Sequence, residues 1–267
     1  MAKVANLQCS TMVYDKRLIE HIIQLKKGKG EKIPKLYRII ENLYSHRISL
    51  FGLEIAECII KTILILDIPI YKDFILRMIT YLPGSPYFLG NYLRGLYWSR
   101  KFKKMEKNCI IEEGVTIGNP QGVELGEFVL IDKSVSLGAK FIKIGKRVHI
   151  AGNCTVFGGG ELFVGDYAAV STSSVIITAT DTPNYGYRAS GPMVPWNQRK
   201  VVFGKVHIKK DVFIGPRVVI FPNVTIGEGS VVVAGSVVTK HIGDWKIISG
   251  RPAKVKANRD KVTLPDV

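Results

Sequence analysis

The sequence predicts a mainly β fold, a triangular parallel β-helix of about five to six coils with a long loop, preceded by an α-helical region. The first observation is a large aliphatic residue at every sixth position, which recurs without a miss from Ile208 to Val238. The second is an apolar or small residue two positions before each aliphatic, an alternation that describes a short strand with both residues facing inward. The third is that extra residues interrupt the step only after every third hexad. Three hexads therefore make one coil, and every insertion leaves the same corner.

Residues 1–107 come before the coils and form a basic region, which holds 19 Lys and Arg against 9 Asp and Glu. Four stretches in it place apolar residues at helical spacing: 15–27, 34–47, 53–66 and 72–81. A further stretch, 82–104, mixes aromatic and basic residues around Trp98. Two interpretations of this stretch stay open. It either contacts an anionic membrane face with its rings at headgroup depth, or forms a helix packed on the coils with a solvated basic face.

The coils are predicted over residues 108–242. Their interruptions follow Ile117, Leu137, Val156 and Ile176. The last is much the longest and gives a loop over 178–205. Because structureless connections of this length are uncommon, we expect the loop to be functional or to reach a neighbouring chain. Residues 243–267 are predicted to form a tail that caps the β-helix.

The net charge of +16 points to an anionic partner such as nucleic acid, a membrane face or a phosphate-rich ligand. Nucleic-acid binding would rest on this charge alone, because the chain has no recognition motif, and we predict none. Cysteines without CxxC or disulfide-framework spacing indicate a reducing compartment, and Cys109 and Cys154 occupy inward core slots. Without an apolar signal segment or spanning run, we expect a cytoplasmic protein, either free or peripheral at the inner face of the membrane.

Two segments of the coil region resemble a known family. The first, VHIAGNCTVFGGGELFVGDYAAVSTSSVIITATD, precedes the long loop, and the second is VTIGEGSVVVAGSVVTKHIGDWKIISGRPAKVK, with Gly250, Pro252, Ala253 and Lys254 near its end. Both are similar to the hexapeptide-repeat acyltransferases, and most of all to the sugar O-acetyltransferases of bacterial surface-polysaccharide pathways. The resemblance covers about 108–257. It implies a left-handed β-helix, a homotrimer, and acetyl-CoA bound as co-substrate in the groove between adjacent subunits, with direct transfer to a sugar.

Direct transfer from a thioester needs a general base, usually a histidine, because its pKa lies near neutral pH. The best-known members of the superfamily carry this histidine just after the coil that precedes the long loop, where this chain has Asp181. The polysaccharide-type relatives are similar to this chain, with an Asp near this point and a His that corresponds to His149. The resemblance thus implies His149 as the base. Asp181, from the same or the neighbouring subunit, would bind the sugar or orient the imidazole. Otherwise His149 is an ordinary outward coil residue and Asp181 a turn residue.

Further residues are candidates for binding. Aromatic and basic side chains of the loop would stack on a sugar ring and bind its hydroxyls, or else pack the loop on a neighbour: Tyr185, Tyr187, Arg188 and Trp196. Asn153 is a weaker candidate for contact with the site. The phosphates of coenzyme A predict basic ligands on the last coils and tail, namely Lys240, Arg251 and Lys254. Small residues would line the pantetheine groove: Gly215, Ala234 and Gly235. No metal cluster is predicted.

The leading hypothesis is an acetyl-CoA-dependent O-acetyltransferase that acts on a saccharide or lipid-linked saccharide. The same base and groove would serve N-acetylation of a nucleotide-linked amino sugar, and a longer acyl group stays open. A non-catalytic β-helix scaffold is a separate alternative. A zinc enzyme of carbonic-anhydrase type, which shares the left-handed β-helix, would need three converging histidines, and His149 and His207 supply no such set.

Overall fold

The structure is a computed structural model that describes residues 13–28, 33, 35–45, 52, 54–57, 77–83, 89–182, 184–189 and 191–267. Its labelled helices are α1 (Lys16–Gly28), α2 (Lys35–Ser45) and α3 (Leu89–Lys101). Residues 54–57 and 77–81 are also helical. The helical spacing at 15–27 and 34–47 thus corresponds to α1 and α2. Most of the helix predicted over 53–66 lies outside the described residues.

Three sheets form the sides of a triangular prism. The first contains β1 (Lys104–Met105), β4 (Val123–Leu125), β7 (Phe141–Ile144), β10 (Glu161–Val164), β15 (Lys205–Ile208) and β18 (Thr225–Ile226). The second contains β2 (Ile110–Ile111), β5 (Leu130–Ile131), β8 (His149–Ile150), β11 (Ala169–Val170), β16 (Phe213–Ile214), β19 (Val231–Val232), β21 (Lys246–Gly250) and β22 (Ala253–Asn258). The third contains β3 (Thr116–Ile117), β6 (Ser136–Leu137), β9 (Thr155–Phe157), β12 (Val175–Ile177), β17 (Val219–Ile220) and β20 (Val237–Val238).

Successive coils pair in parallel, so the predicted parallel β-helix is confirmed. Six complete coils are present, and β21 continues the second sheet beside β19 as part of a seventh. Every large aliphatic of the six-residue series is buried except Ile117 in the first coil, which is half-buried. Burial of each such side chain stabilises the fold by about 1.5–3 kcal/mol, and stacking makes this core continuous.

The prism has three corners, named here by the sheets that they join. The first corner joins the first and second sheets, the second corner joins the second and third, and the third corner returns to the first. All four insertions leave the third corner, as the spacing predicts. At regular corners the residue before the inward small residue has positive φ, even where it is bulky, as at Phe128, Arg147 and Tyr167. Each of these backbone N–H groups donates to a carbonyl of the preceding coil, which holds the strained conformation.

Helix α3 closes the first coil. Trp98 and Tyr97 are buried against the core of the prism. These two rings are therefore packed on the coils and not exposed. Arg94 on the same helix is fully buried and donates to the carbonyls of Ile111 (2.7 Å) and Ile79 (3.0 Å). The described residues include no helix long and apolar enough to cross a bilayer.

Helix α1 packs on α2, on α3 and on the outer side of the second sheet near Ile110 and Phe128. Its start is tied to the first coil, because the N–H of Asp15 donates to Asn108 Oδ1 (3.0 Å) and the N–H of Asn108 donates to the carbonyl of Val13 (3.0 Å). The helix therefore has a fixed place beside the coils that carry His149.

Candidate active site

His149 projects outward from β8 on the second sheet, with 47% of its side chain exposed. Its register neighbours are Leu130 below and the small Ala169 above. Its Nε2 lies 3.5 Å from Oδ2 of Asp132, whose other oxygen accepts the N–H of Lys133 (2.9 Å). Within this chain the carboxylate beside His149 is therefore Asp132, which sequence analysis missed. The sequence could have indicated Asp132, because it lies one coil below His149 and directly follows the inward Ile131.

A cleft of 280 Å³ lies in front of His149, between α1 and the second sheet. The helix contributes Leu18, His21 and Leu25, and the prism contributes Phe128 and Arg147. The His21 ring meets the Phe128 ring edge-on at 6.0 Å, and the Arg147 guanidinium lies 4.6 Å from the centre of the Phe128 ring. The N-terminal region thus forms one wall of the space that His149 faces.

The second corner gathers five predicted site residues: Asn153, Gly215, Ala234, Gly235 and Arg251. A Cβ atom on Gly215 would lie 2.7 Å from the backbone N of Ala234, so the close approach of coils requires glycine there. Arg251 Nε donates to the carbonyl of Gly235 (2.6 Å) and fixes the guanidinium along the corner. Lys240 and Lys254 are not in this group, since Lys240 is exposed at the third corner and Lys254 is exposed on β22.

The long insertion forms an arm, residues 178–205, that leaves the third corner. It begins and ends in an antiparallel hairpin of β13 (Ala179–Asp181) and β14 (Val201–Phe203). The four predicted loop residues lie on the arm, and Tyr185 and Trp196 are 88% and 67% exposed. The Lys200 ammonium lies 5.7 Å from the centre of the Tyr185 ring and 5.9 Å from that of Tyr187. These rings form a basic, aromatic surface suited to a polar ring compound.

Asp181 ends the first strand of the arm and pairs with Arg199, which sequence analysis did not single out. Arg199 Nε donates to the carboxylate oxygen Oδ1 (3.0 Å), and Arg199 Nη2 lies 2.9 Å from the same oxygen in an ion pair. The Trp196 ring covers the guanidinium, with 5.4 Å from its carbon to the ring centre. Only the position of Arg199 just before the returning strand β14 could have indicated this pair.

His149 and Asp181 lie on opposite sides of one prism, because the third corner of a triangle faces the second side. No hydrogen bond or ion pair joins the two side chains in the part of the chain that the structure describes. The predicted site residues of one chain therefore fall into two separate groups, which we call half-sites. The second sheet and second corner carry His149 and Asn153, and the arm carries Asp181.

A groove of 1060 Å³ lies on the first sheet at the root of the arm. Its lining includes Phe163, Phe203, Lys205, His207 and His241, and none of the predicted site residues lines it. The His207 ring packs 5.6 Å from Phe163. Burial, and then the nearby Lys209 charge, lowers the pKa of His207 below its ordinary value of 6.5. His207 is therefore a neutral imidazole near pH 7, and it is a second candidate base.

Comparison with known proteins extends these observations. The family profile described as "Bacterial transferase hexapeptide (six repeats)" matches residues 205–240. The chain is 37% identical over 114 residues to putative acetyltransferases of Staphylococcus aureus, and it spans only about half (53%) of their length. It is 31% identical over 165 residues to dTDP-4-amino-4,6-dideoxy-D-glucose acyltransferase of Escherichia coli, covering 61% of this chain and 85% of that one.

Two further proteins bear on the acceptor. Galactoside O-acetyltransferase of Lactococcus lactis is 32% identical over 135 residues, covering 50% of this chain and 61% of that one. Among solved structures, AntD, an N-acyltransferase from Bacillus cereus in complex with dTDP and 3-hydroxybutyryl-CoA, superposes with a TM-score of 0.58. It is 34% identical, and the superposition covers 61% of this chain and 86% of AntD.

Proposed function

This chain belongs to the hexapeptide-repeat acyltransferases, and from that membership we propose that it transfers an acyl group from an acyl-CoA thioester directly to a sugar. The observation that carries the proposal is the division of the candidate residues between two separate edges of the prism. A binding edge at the second corner and an arm at the third corner cannot form one site within a chain. A neighbouring copy in a homotrimer would bring the arm of one subunit to the second corner of the next.

The spacing between two residues of AntD supports Asp181 as a site residue. The solved AntD variants replace a serine and an aspartate that are ten residues apart in that protein. In this chain Ser171 and Asp181 are the only serine and aspartate with that order and spacing. Ser171 follows β11 at the second corner, one coil beyond Asn153, so this pair also spans the two half-sites.

The proposed chemistry assigns a role to each half-site. The acceptor oxygen or nitrogen attacks the thioester carbonyl carbon, and His149 takes the proton that the acceptor loses. The tetrahedral intermediate then expels the coenzyme A sulfur, which takes that proton from the imidazolium. Asp132, whose Oδ2 lies 3.5 Å from His149 Nε2, would orient the imidazole ring. Asp181 and the arm rings would hold the sugar.

Acyl-CoA is the proposed donor, and its phosphates would meet Arg251 at the second corner, Lys254 on β22 of the same subunit, and Lys240 at the third corner of the neighbouring copy. The AntD structures hold coenzyme A or 3-hydroxybutyryl-CoA, which supports a donor of this class. The small residues of the second corner, Gly215, Ala234 and Gly235, are those beside which a pantetheine chain would lie. Location in the cytoplasm, with or without membrane contact, stays a prediction.

For the acceptor, the comparisons favour the amino group of a nucleotide-linked sugar, which sequence analysis held as the alternative. The supporting observation is coverage, since the matches to the dTDP-amino-sugar acyltransferase and to AntD cover 85% and 86% of those chains. A sugar hydroxyl is the second candidate, favoured by the match to galactoside O-acetyltransferase at 32% identity. Both acceptors use the same attack on the thioester.

The test is a donor and acceptor screen with the full chain. Binding of acetyl-CoA and 3-hydroxybutyryl-CoA is measured by calorimetry, and products from dTDP-amino sugars and from galactosides are identified by mass spectrometry. An amide product survives mild alkali, whereas an ester product is hydrolysed. We expect micromolar donor binding and an amide product. A folded protein that binds neither donor would overturn the proposal and leave the non-catalytic scaffold.

A further inference from the structure

We infer that Arg199 is a positioning residue, which holds the Asp181 carboxylate so that its Oδ2 faces the acceptor. The inference rests on the proposed function, because it assigns the acceptor to the arm. Arg199 itself touches no reacting atom in this arrangement. It acts only through Asp181.

The two oxygens of the Asp181 carboxylate have different contacts. Both guanidinium donors reach Oδ1, at 3.0 Å from Nε and 2.9 Å from Nη2, and no hydrogen bond to Oδ2 occurs among the described residues. The charge-assisted bond from Nε and the ion-pair contact of Nη2 both fall on Oδ1, so Oδ1 is the oxygen that faces the guanidinium. Asp181 thus offers a single free oxygen in a defined direction.

The space beside Oδ2 is kept open by a glycine. A Cβ atom placed on Gly191 would come within 4.0 Å of Oδ2, and Gly191 has a φ of +61°, which side chains rarely adopt. A larger residue there would extend over the oxygen. In the part of the arm that the structure describes, Gly191 therefore places no side chain beside Oδ2.

Burial separates this pair from an ordinary surface ion pair. The Arg199 and Asp181 side chains are 13% and 21% exposed, and Trp196 covers the guanidinium. The turn Trp196–Gln198 sets this arrangement, since the N–H of Arg199 donates to the carbonyl of Trp196 (3.4 Å). Exposed pairs gain little because their side chains stay free to move, whereas this one is held from both sides.

The pairing also has a consequence for the acceptor. A lone carboxylate would bind a sugar ammonium as its counter-ion, and an ammonium has no lone pair with which to attack a thioester. Because Arg199 already balances the charge of Asp181, the pair is neutral and Oδ2 acts as a hydrogen-bond acceptor. It would therefore bind a neutral amine or a hydroxyl, which are the nucleophilic forms.

The experiment compares Arg199→Ala, Arg199→Lys, Asp181→Asn and the double variant Arg199→Ala with Asp181→Asn, assayed with the donor and acceptor that the screen identifies. We expect Arg199→Ala to lower kcat about 10- to 100-fold with the KM for acyl-CoA unchanged, as loss of orientation predicts. Arg199→Lys should recover part of the loss. The double variant should be no slower than Asp181→Asn, because Arg199 acts only through that carboxylate.

Controls separate positioning from mere support of the arm. Hydrogen exchange of the Thr182 and Arg188 amides, which donate to the carbonyls of Lys200 and Gln198, reports whether the arm keeps its fold. Lys143→Ala removes an exposed cation from the first sheet and should leave turnover unchanged. An arm that opens in Arg199→Lys as well as in Arg199→Ala, or a double variant with additive losses, would show that Arg199 only supports the arm.

The outcomes also distinguish this inference from the proposed function. If Asp181→Asn loses turnover while Arg199→Ala keeps it, the inference fails and the proposed function stands. If Asp181→Asn keeps full turnover, the role proposed for Asp181 fails and the inference fails with it. A wild-type protein that acylates no sugar removes both.

Discussion

Replacing His149 by alanine is the most informative single perturbation, because the chain offers a rival base in His207. Both histidines project outward between two buried residues of a strand, His149 from the second sheet and His207 from the first. Only His149 has a carboxylate beside it, Asp132 at 3.5 Å. Only His207 lies in the large groove at the root of the arm. The variants His149→Ala and His207→Ala therefore test two different places for the chemistry.

The expected magnitudes differ sharply between stability and turnover. His149 is 47% exposed and its one ion pair is longer than a hydrogen bond, so its loss should cost less than about 1 kcal/mol of the free energy of unfolding. The melting temperature should then fall by no more than about 4 °C. Loss of a general base should lower kcat about 10²- to 10⁴-fold, since proton transfer to a positioned side chain contributes that much.

The assay measures release of the coenzyme A thiol with a colorimetric reagent, for the wild type and both variants, across pH 5.5 to 8.5 (a range of about three units around the pKa of an ordinary histidine). A base at His207 would give an acidic limb of kcat/KM below pH 6.5, because burial and Lys209 lower its pKa. The assignment of His149 would be refuted if His149→Ala kept turnover within about threefold of the wild type while His207→Ala lost it.

Three further predictions follow from the same structure. Burial raises the pKa of Cys109 to about 12 and also raises that of Cys154, so iodoacetamide at pH 8 should label neither of these thiols until the protein is unfolded, as peptide mass spectrometry would show. Labelling of Cys109 or Cys154 in the native protein would contradict the core assignment. Arg94→Met leaves buried carbonyls without their donor and should lower the free energy of unfolding, measured in urea, by about 3 kcal/mol. A loss of less than about 1 kcal/mol would show that water replaces the guanidinium. Gly215→Ala brings a Cβ atom to 2.7 Å from the Ala234 nitrogen and should distort the second corner, so calorimetry should show weaker acyl-CoA binding. An unchanged affinity would show that the second corner is not part of the donor site.

The coils were predictable because a β-helix converts sequence distance into lateral position. Once each coil is known to take three hexads plus its insertion, His149 must lie beside Ala169, and it does. The same counting placed Cys109 and Cys154 in the core. Strand β1 at Lys104–Met105 was not identified, because it directly follows α3 and lacks the pair of inward apolar residues that marks the other strands.

The contacts at the candidate site were harder to predict because they join segments outside the repeat. The Arg199–Asp181 pair crosses the arm, whose turns follow no period that would bring position 199 to position 181. The wall that α1 places before His149 depends on docking of a helix against a sheet, and the helical spacing gives its inner face but not its partner. Asp132 was accessible to counting, but nothing in its own hexad distinguishes it from an ordinary corner residue.

The closure of both ends of the prism has a consequence for how the protein behaves at high concentration. A parallel coil ends in strands with unpaired N–H and C=O groups, and such edges recruit further chains into fibrils. Here α3 covers the first coil, and β22 folds back antiparallel on β21 at the other end. The outermost strand also carries Lys254 and Lys256, whose charges oppose the addition of another strand. Covered ends of this kind oppose the end-to-end addition of further chains to the solenoid.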